Sequence, residues 1–453
     1  MSDKAQFSTK IGLIAATVGS AVGLGNVWRF PSETQANGGA AFLLIYIGCV
    51  LILGIPVMLA EFSLGRAGGS DAVGSLKRLS PGKKWWIAGA LAILTSYLIL
   101  CFYMVVAGWT FEYMWQSITG YLYEPIAGNS SYDAQFTTRM QEFITHDSDP
   151  LINTYIMIAM NLAILVFGVK KGIERLSNIL MPMLFILLLI FCWVSLSLPK
   201  AGEGLEFFLN PDFSKITPSV VVRALGQAFF SLSLGMGILI TYSSYYPKET
   251  RLTRTAMTVS FLDTLVAIMM GIIIFPAVKS FGLEDHALNG PTLVFVTLPE
   301  VFAQMPGTQL WSTLFFLFLT VAAVTSTISI AEVSIAFMQS RCKMSRVAAC
   351  LTILLPLFAF STVCSLSQGS LSGVTIGGRT IFDFLDNLTS NIMLPICSIL
   401  LCIYIGWFAD KKLLLDELTN YGSIKAHSYR IVRFIVRYIA PILILSILVS
   451  PLI

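Results

Sequence analysis

The chain has 453 residues, of which 56% are hydrophobic and 12% charged, with a formal net charge of +4 and a mean hydropathy of +0.78. A soluble domain carries about 25% charged residues, so half that charge, spread among long apolar runs, excludes an ordinary soluble domain and describes a polytopic membrane protein. The small positive balance reflects placement relative to a bilayer and not a nucleic-acid partner.

The opening "MSDKAQFSTKIGLIAA" leads into an apolar run too long for a cleavable signal peptide and without a small-residue cleavage site. Apolar spans then fall near 11–36, 41–66, 87–118, 152–169, 176–198, 217–245, 255–278, 308–340, 347–365, 390–409 and 432–452. Each is near or above the ~20 residues that a spanning helix needs, which predicts eleven transmembrane helices. Placing the N-terminus inside puts 22 of the 29 Lys and Arg residues on the cytoplasmic side, from Lys4 and Lys10 through Arg66–Lys84 to Lys411–Arg437. That bias alternates loop by loop and predicts an N-inside, C-outside protein of the cell membrane. Seven of the eight Cys (Cys49, Cys101, Cys192, Cys350, Cys364, Cys397 and Cys402) lie in or beside apolar spans, Cys342 lies in a loop, and no metal-type spacing appears. They read as packing residues without a disulfide framework.

The first span contains "SAVGLGNVWRFP", in which Gly23–Leu24–Gly25 interrupts a helix where lipid is expected. The sixth contains "FFSLSLGMGILITYSSY", with Gly235–Met236–Gly237 in the corresponding place, 212 residues later and four whole helices away. Five helices per unit force the second unit to enter the membrane upside down. The expected fold is therefore an all-α membrane protein, a single transporter domain over 1–453. It has two inverted five-helix repeats (11–198 and 217–409), helices 1 and 6 broken at mid-membrane, and an extra helix at 432–452. Paired breaks of this kind point to a transporter binding site, because irregular backbone at membrane depth is tolerated only where it lines a cavity. Half-helix dipoles suit a carboxylate and freed carbonyls suit a cation. One GxG alone would read more simply as close helix packing.

The segments "GSAVGLGNVWRFP", "NGGAAFLLIY", "GIPVMLAEFSLGR", "GQAFFSLSLGMG" and "VTSTISIAE" resemble the signature segments of the neurotransmitter:sodium symporter family, and in particular its bacterial amino-acid transporters. The similarity covers helices 1 to 10. It implies sodium-driven uptake by alternating access, with two Na⁺ ions. Na⁺ is hard and takes oxygen ligands. The resemblance implies a first sodium site at the Ala21 carbonyl, Asn26, Ser231 and Asp263. It implies a second at the carbonyls of Gly19, Val22 and Ala322 with the hydroxyls of Thr325 and Ser326. On their own these two hydroxyls would read as back-bonding inside a membrane helix. The implied substrate site sets the amides of Leu24 and Gly25 and the Tyr103 hydroxyl against a carboxylate, and the carbonyls of Ala21, Phe230 and Ser231 with the Ser233 hydroxyl against an ammonium. Ile99, Phe230, Met236, Ser326 and Ile330 would surround the side chain. Monoamine members of the family carry Asp where this chain has Gly23, so the substrate here is expected to bring its own carboxylate. The flexible Met236 suits larger hydrophobic and aromatic L-amino acids.

The resemblance also implies an outer gate of Arg29 and Asp386, with Tyr103 and Phe230 as a lid, and a Glu61 that accepts hydrogen bonds from the unwound part of helix 6. Arg29 could alternatively snorkel to the interface, and Glu332 has no assigned role. The family's inner Arg–Asp pair and Trp are replaced by Lys4, Ser340 and Phe7, which predicts an inner gate that is weakened or built differently. Gly172 and Pro182 form the Gly-X9-Pro spacing of a helix 5 segment that unwinds to let water reach the second sodium. Chloride, which animal members use beside the first sodium, is not expected. Tyr46, Gln227 and Ser231 match part of the chloride cluster, and Ala267 stands where chloride-independent relatives place Glu. Asp263 replaces the usual neutral Asn and supplies the negative charge itself, unless it is protonated and mimics Asn. The reading is a sodium-coupled symporter for hydrophobic L-amino acids. A proton-coupled permease of the same fold, or a non-transporting amino-acid sensor, are the alternatives. Nothing suggests an enzyme: there is no Ser-His-Asp pattern, and His146, His286 and His427 lie in loops.

Overall fold

The computed structural model describes residues 6–126, 131–283, 290–425 and 428–449. Its backbone is nearly all helix, with one two-residue antiparallel ladder pairing Thr375–Ile376 with Arg379–Thr380. We label the long helices α1a (Lys10–Ala21), α1b (Gly25–Ala36), α2 (Ala40–Gly68), α3 (Trp86–Thr119), α4 (Asp149–Leu165) and α5 (Val169–Leu196). The remainder are α6a (Pro218–Ser231), α6b (Ile238–Ser243), α7 (Leu252–Phe281), α8 (Thr308–Arg341), α9 (Arg346–Leu366), α10 (Ile381–Phe408) and α11 (Tyr429–Val449).

By length and composition, eight helices can cross a membrane, or ten if two bent pairs each count as one span. One bent pair is α1a with α1b, at 54°, and the other is Tyr132–Thr145 with α4, at 71°. The expected sixth span, 217–245, does not pass as a unit because its two halves are only 14 and 6 residues long. Hydropathy registers composition, and the residues between the halves are as apolar as the halves themselves. The expected 390–409 span begins earlier, at Ile381, and 176–198 begins at Val169. Both extensions run through π-helical turns, Leu388–Met393 and Val169–Glu174, which carry no periodic signal. Residues 450–452 of the expected last span lie outside the described residues.

The bundle is built around α8. Its apolar window is 89% buried inside the protein, against 33% for α5 and 28% for α11. The most extensive helix pairing is between α8 and α3. Thus α3 and α8 form an inner scaffold, α1 packs on α8, and α5 and α11 lie at the rim with faces left for lipid. Close approach is enforced locally: a Cβ on Gly108 of α3 would stand 2.7 Å from the Thr154 amide of α4, so only glycine lets these two backbones touch.

Candidate functional site

The two glycine pairs that marked the broken helices act differently. In α6, Gly235 and Gly237 have φ of +79° and +73°, and Ser233 sits at +54°. These are left-handed positions that end α6a and redirect the chain into α6b. In α1 neither Gly23 nor Gly25 has a positive φ. They are needed for space: a Cβ on Gly23 would lie 2.5 Å from Ser326 Oγ and 3.0 Å from Tyr103 Oη, and one on Gly25 would lie 2.8 Å from the Phe230 ring. At the α1 break the last carbonyls of α1a lack intrahelical partners. Two find side chains instead, Ser20 accepting from Ser233 Oγ at 2.9 Å and Val22 from Ser326 Oγ at 3.4 Å.

The residues expected around a first cation converge. Asp263 on α7 is fully buried and accepts from Asn26 Nδ2 at 2.9 Å, Ser231 Oγ at 2.6 Å and Tyr46 Oη at 3.4 Å. Asn26 Nδ2 also reaches Ser231 Oγ at 3.1 Å, and Asn26 Oδ1 accepts from the Gly23 amide at 3.3 Å. Arg66, His146, Arg223, Arg341 and Arg346 each pair with another carboxylate, and none of these ion pairs reaches Asp263. At the second expected position, Ser326 crosses to the Val22 carbonyl. Thr325 donates to the Ala322 and Val321 carbonyls of its own helix at 3.0 and 3.2 Å. Gly19 lies directly opposite, since a Cβ there would be 3.4 Å from Thr325 Cβ.

Between these two clusters is a small cavity with about 30 Å³ of free space. Of the eleven residues expected to hold the substrate, Ala21, Gly25, Ile99, Tyr103, Phe230, Ser231, Ser233, Met236, Ser326 and Ile330 line it. Leu24 lines the outer cavity instead, and its amide donates to Tyr103 Oη at 3.2 Å. Ser20 and Gly23 also border the central cavity. Ser20 had no signal of its own in the sequence, because its contribution is a backbone carbonyl.

Above it lies an outer cavity of about 360 Å³ lined by Arg29, Tyr103, Phe230 and Asp386 among others. The Arg29 guanidinium sits over the Phe230 ring, 4.5 Å from its centroid. Arg29 and Asp386 share this cavity without a direct ion pair, and Asp386 accepts from Ser390 Oγ at 3.1 Å. Glu61 takes the expected partner, the Gly235 amide, at 2.8 Å.

The opposite end is where the inner gate is expected, at Lys4, Phe7 and Ser340. Lys4 lies outside the described residues. Phe7 is 3% exposed and packs on Tyr242, Tyr245 and Tyr246. Ser340 bonds Asp71, which also faces Arg341 at 3.9 Å. Glu332 pairs with Arg346 at 2.6 Å and accepts from Tyr245 Oη at 2.8 Å. Glu174 accepts from the Ser8 and Thr9 amides at 2.8 and 2.9 Å and from Thr9 Oγ1 at 2.9 Å. Arg346, Tyr245, Glu174 and Asp71 escaped the sequence reading. For Arg346 the available signal was Glu332 itself, since a carboxylate inside a membrane helix requires a partner. The Gly172 segment is wound as a π-helical turn, and Pro182 lies within the α-helix that follows. His146 ends the helix Tyr132–Thr145 and faces Asp149 at 3.2 Å, while His286 and His427 lie outside the described residues.

Long apolar helices, two of them interrupted around one buried cluster of oxygens, define a multi-pass membrane protein of the transporter class. A family model described as "Sodium:neurotransmitter symporter family" matches residues 4–142 and 124–453. An uncharacterized sodium-dependent transporter, YhdH, of Bacillus subtilis (strain 168) is 35% identical over 445 residues, covering 98% of this chain and 97% of that protein. The sodium-dependent serotonin transporter of Drosophila melanogaster is 27% identical, covering 97% of this chain and 75% of the relative. The crystal structure of MhsT in complex with L-phenylalanine superposes with a TM-score of 0.89 at 41% identity, covering 99% of this chain and all of that one. The chain belongs to the sodium:neurotransmitter symporter family, and the Bacillus and Drosophila relatives are named as sodium-dependent transporters.

Proposed function

We propose that this protein is a sodium-coupled symporter that imports hydrophobic and aromatic L-amino acids by alternating access without chloride. In this reading one domain over 1–453 crosses the cell membrane eleven times. It has inverted repeats at 11–198 and 217–409, an extra helix at 432–452, the N-terminus inside and the C-terminus outside. The carrying observation is Asp263: a buried carboxylate with three neutral donors and no basic partner among the described residues is costly unless a cation joins it. Na⁺ at Ala21, Asn26, Ser231 and Asp263 supplies that charge. A second Na⁺ at Gly19, Val22, Ala322, Thr325 and Ser326 ties α1a to α8. The substrate carboxylate faces the Leu24 and Gly25 amides together with the Tyr103 hydroxyl, while its ammonium faces Ala21, Phe230, Ser231 and Ser233. A cavity of about 30 Å³ holds roughly one water. A large side chain therefore enters by moving lining groups, and the unbranched Met236 moves readily. Arg29 and Asp386 close the outer cavity over Tyr103 and Phe230, and unwinding around Gly172 and Pro182 admits water from inside. The L-phenylalanine bound to MhsT supports the substrate class. The direct test is uptake of radiolabelled amino acids into proteoliposomes. Accumulation of hydrophobic and aromatic L-amino acids is expected only with an inward sodium gradient. A proton gradient driving the same uptake without sodium would overturn the reading, and binding without any flux would make the protein a sensor.

Thr325→Ala with Ser326→Ala is expected to abolish sodium-dependent amino-acid binding, because it removes two hard-oxygen ligands from a site with few others. Sodium affinity within twofold of the parent, by scintillation proximity, would remove these residues from the second site.

Glu174 holds the entry of α1a through three hydrogen bonds, and a Cβ on Gly12 would collide with its carboxylate, so glycine there makes the room. Charge-assisted bonds are worth about 1.5–3 kcal/mol each. Glu174→Ala is expected to speed hydrogen–deuterium exchange over residues 8–13 by at least ~10-fold. Unchanged exchange there would show that the start of α1a is held by other contacts.

A further inference from the structure

Outside the transport site, a groove of about 860 Å³ runs along the first turns of α7 and against the helix Lys411–Leu418 and the loop after it. One end is cationic: Arg251, Arg254 and Lys425 line it, all three are exposed, and among the described residues none has a side-chain hydrogen bond or ion pair. The other end is apolar. Met257 and Phe261 are 57% and 65% exposed, and Leu418 forms the buried back wall. Arg254, Met257 and Phe261 follow the three- and four-residue spacing that stacks side chains on one helix face. The groove therefore grades from charge to hydrocarbon along a single stripe. Its walls are held together, since Arg66 of α2 binds Glu417 and also donates to the Thr250 carbonyl at 2.5 Å. That contact locks the Lys411–Leu418 helix to the turn that precedes α7.

We propose that this groove is a binding site for an anionic phospholipid of the adjoining leaflet. Its phosphate headgroup would lie among Arg251, Arg254 and Lys425, and one acyl chain would run along Met257, Phe261 and Leu418. Three clustered cations without protein partners at the edge of a membrane-spanning helix complement an anionic headgroup. The exposed apolar stripe beneath them lies on a membrane-spanning helix, where an acyl chain covers it, so the fitting occupant joins an anionic headgroup to hydrocarbon. Arg251 and Arg254 also line a second cavity, of about 420 Å³, beside Ser8, Thr9 and Lys10 at the start of α1a. Two of the cations that would hold the headgroup therefore also face the start of α1a, the helix end that Glu174 secures. This proposal does not depend on the substrate or on the coupling ion.

The test uses the full chain in nanodiscs with trace spin-labelled phosphatidylglycerol or phosphatidylcholine, read by electron paramagnetic resonance. The parent is expected to retain phosphatidylglycerol preferentially. Arg251→Gln, Arg254→Gln and Lys425→Gln are expected to weaken it by about fivefold per charge removed and to leave phosphatidylcholine unchanged. Arg251→Lys with Arg254→Lys should keep the preference, and Met257→Trp, which fills the groove, should lower retention without touching a charge. Far-UV circular dichroism and size-exclusion profiles establish that each variant is folded. Equal retention of both lipids by the parent, or an undiminished preference in the folded triple Gln variant, would overturn the site. Displacement of the labelled lipid by millimolar glycerol phosphate would overturn it too, because the headgroup alone would then be the ligand.

Discussion

Gly23→Asp is expected to lower the affinity for the amino-acid substrate by roughly 10³, to leave the protein folded, and to do so mainly through charge. Gly23 lies in the α1 break beside the Leu24 amide, which is the proposed seat of the substrate carboxylate and now donates to Tyr103 Oη at 3.2 Å. A second carboxylate there faces the first in a buried site. At an effective dielectric of ~20 and a separation of ~4 Å, like charges repel by about 4 kcal/mol, or nearly three powers of ten in affinity. Space is also tight, since any Cβ meets Ser326 Oγ at 2.5 Å and Tyr103 Oη at 3.0 Å. Serine and tyrosine side chains can rotate away, so the steric part is separable. Gly23→Asn has nearly the shape of Asp without the charge and is expected to lose far less than the Asp variant. Equal losses for Asn and Asp, measured by equilibrium binding of the same labelled amino acid, would show that position 23 does not face a carboxylate.

The importance of Gly23 is legible in the sequence, but its reason is not. A GxG pair in an apolar segment says that the helix is interrupted. It does not say whether glycine is needed for backbone angle, as at Gly235 and Gly237, or for room, as at Gly23 and Gly25. Side chains with distinctive chemistry stand out in the sequence: Asn26 lies inside a long specific segment, and Asp263 is a carboxylate in an apolar span. Contributions from bare carbonyls, such as Ser20, have no residue-type signature. Helix ends were blurred wherever the chain turns through π-helical geometry, as at Leu388–Met393, because such turns shift the periodicity without changing composition. The inner end was the least legible part. Its partners are spread over α5, α6b, α8, α9 and the turn before Ala72: Ser340 bonds Asp71, while Glu174 holds Ser8 and Thr9. A single position-by-position comparison could register the missing Arg–Asp pair. It could not register the contacts that hold this end, since these join residues as far apart in sequence as Thr9 and Glu174.

Replacing chloride with gluconate is expected to leave sodium-driven uptake by the parent unchanged, and Asp263→Asn is expected to make transport chloride-dependent. Near the first cation position, Tyr46, Gln227 and Ser231 provide the hydroxyl and amide groups that could hold an anion. The structure shows how they are engaged. Tyr46 Oη and Ser231 Oγ both point at Asp263 Oδ2, at 3.4 and 2.6 Å, and Gln227 Nε2 is bonded to the Gly25 carbonyl at 3.2 Å. Two of these three donors thus already bond the Asp263 carboxyl group, and the third is taken by a backbone carbonyl. Ala267, one turn further along α7, is fully buried and contributes no charge, so Asp263 is the negative group beside the proposed Na⁺. A chloride on the order of 5 Å from that carboxylate would be repelled by about 3 kcal/mol at an effective dielectric of ~20, more than a hundredfold in occupancy. In Asp263→Asn the repulsion is gone, Tyr46 and Ser231 are free to donate to another acceptor, and the cation lacks a counter-charge. Loss of uptake in gluconate with recovery in chloride is then expected of the variant alone. Strong chloride dependence of the parent would refute the assignment of Asp263 as counter-charge. A variant that transports equally in both salts would refute it as well, because the site would then need no anion near the sodium.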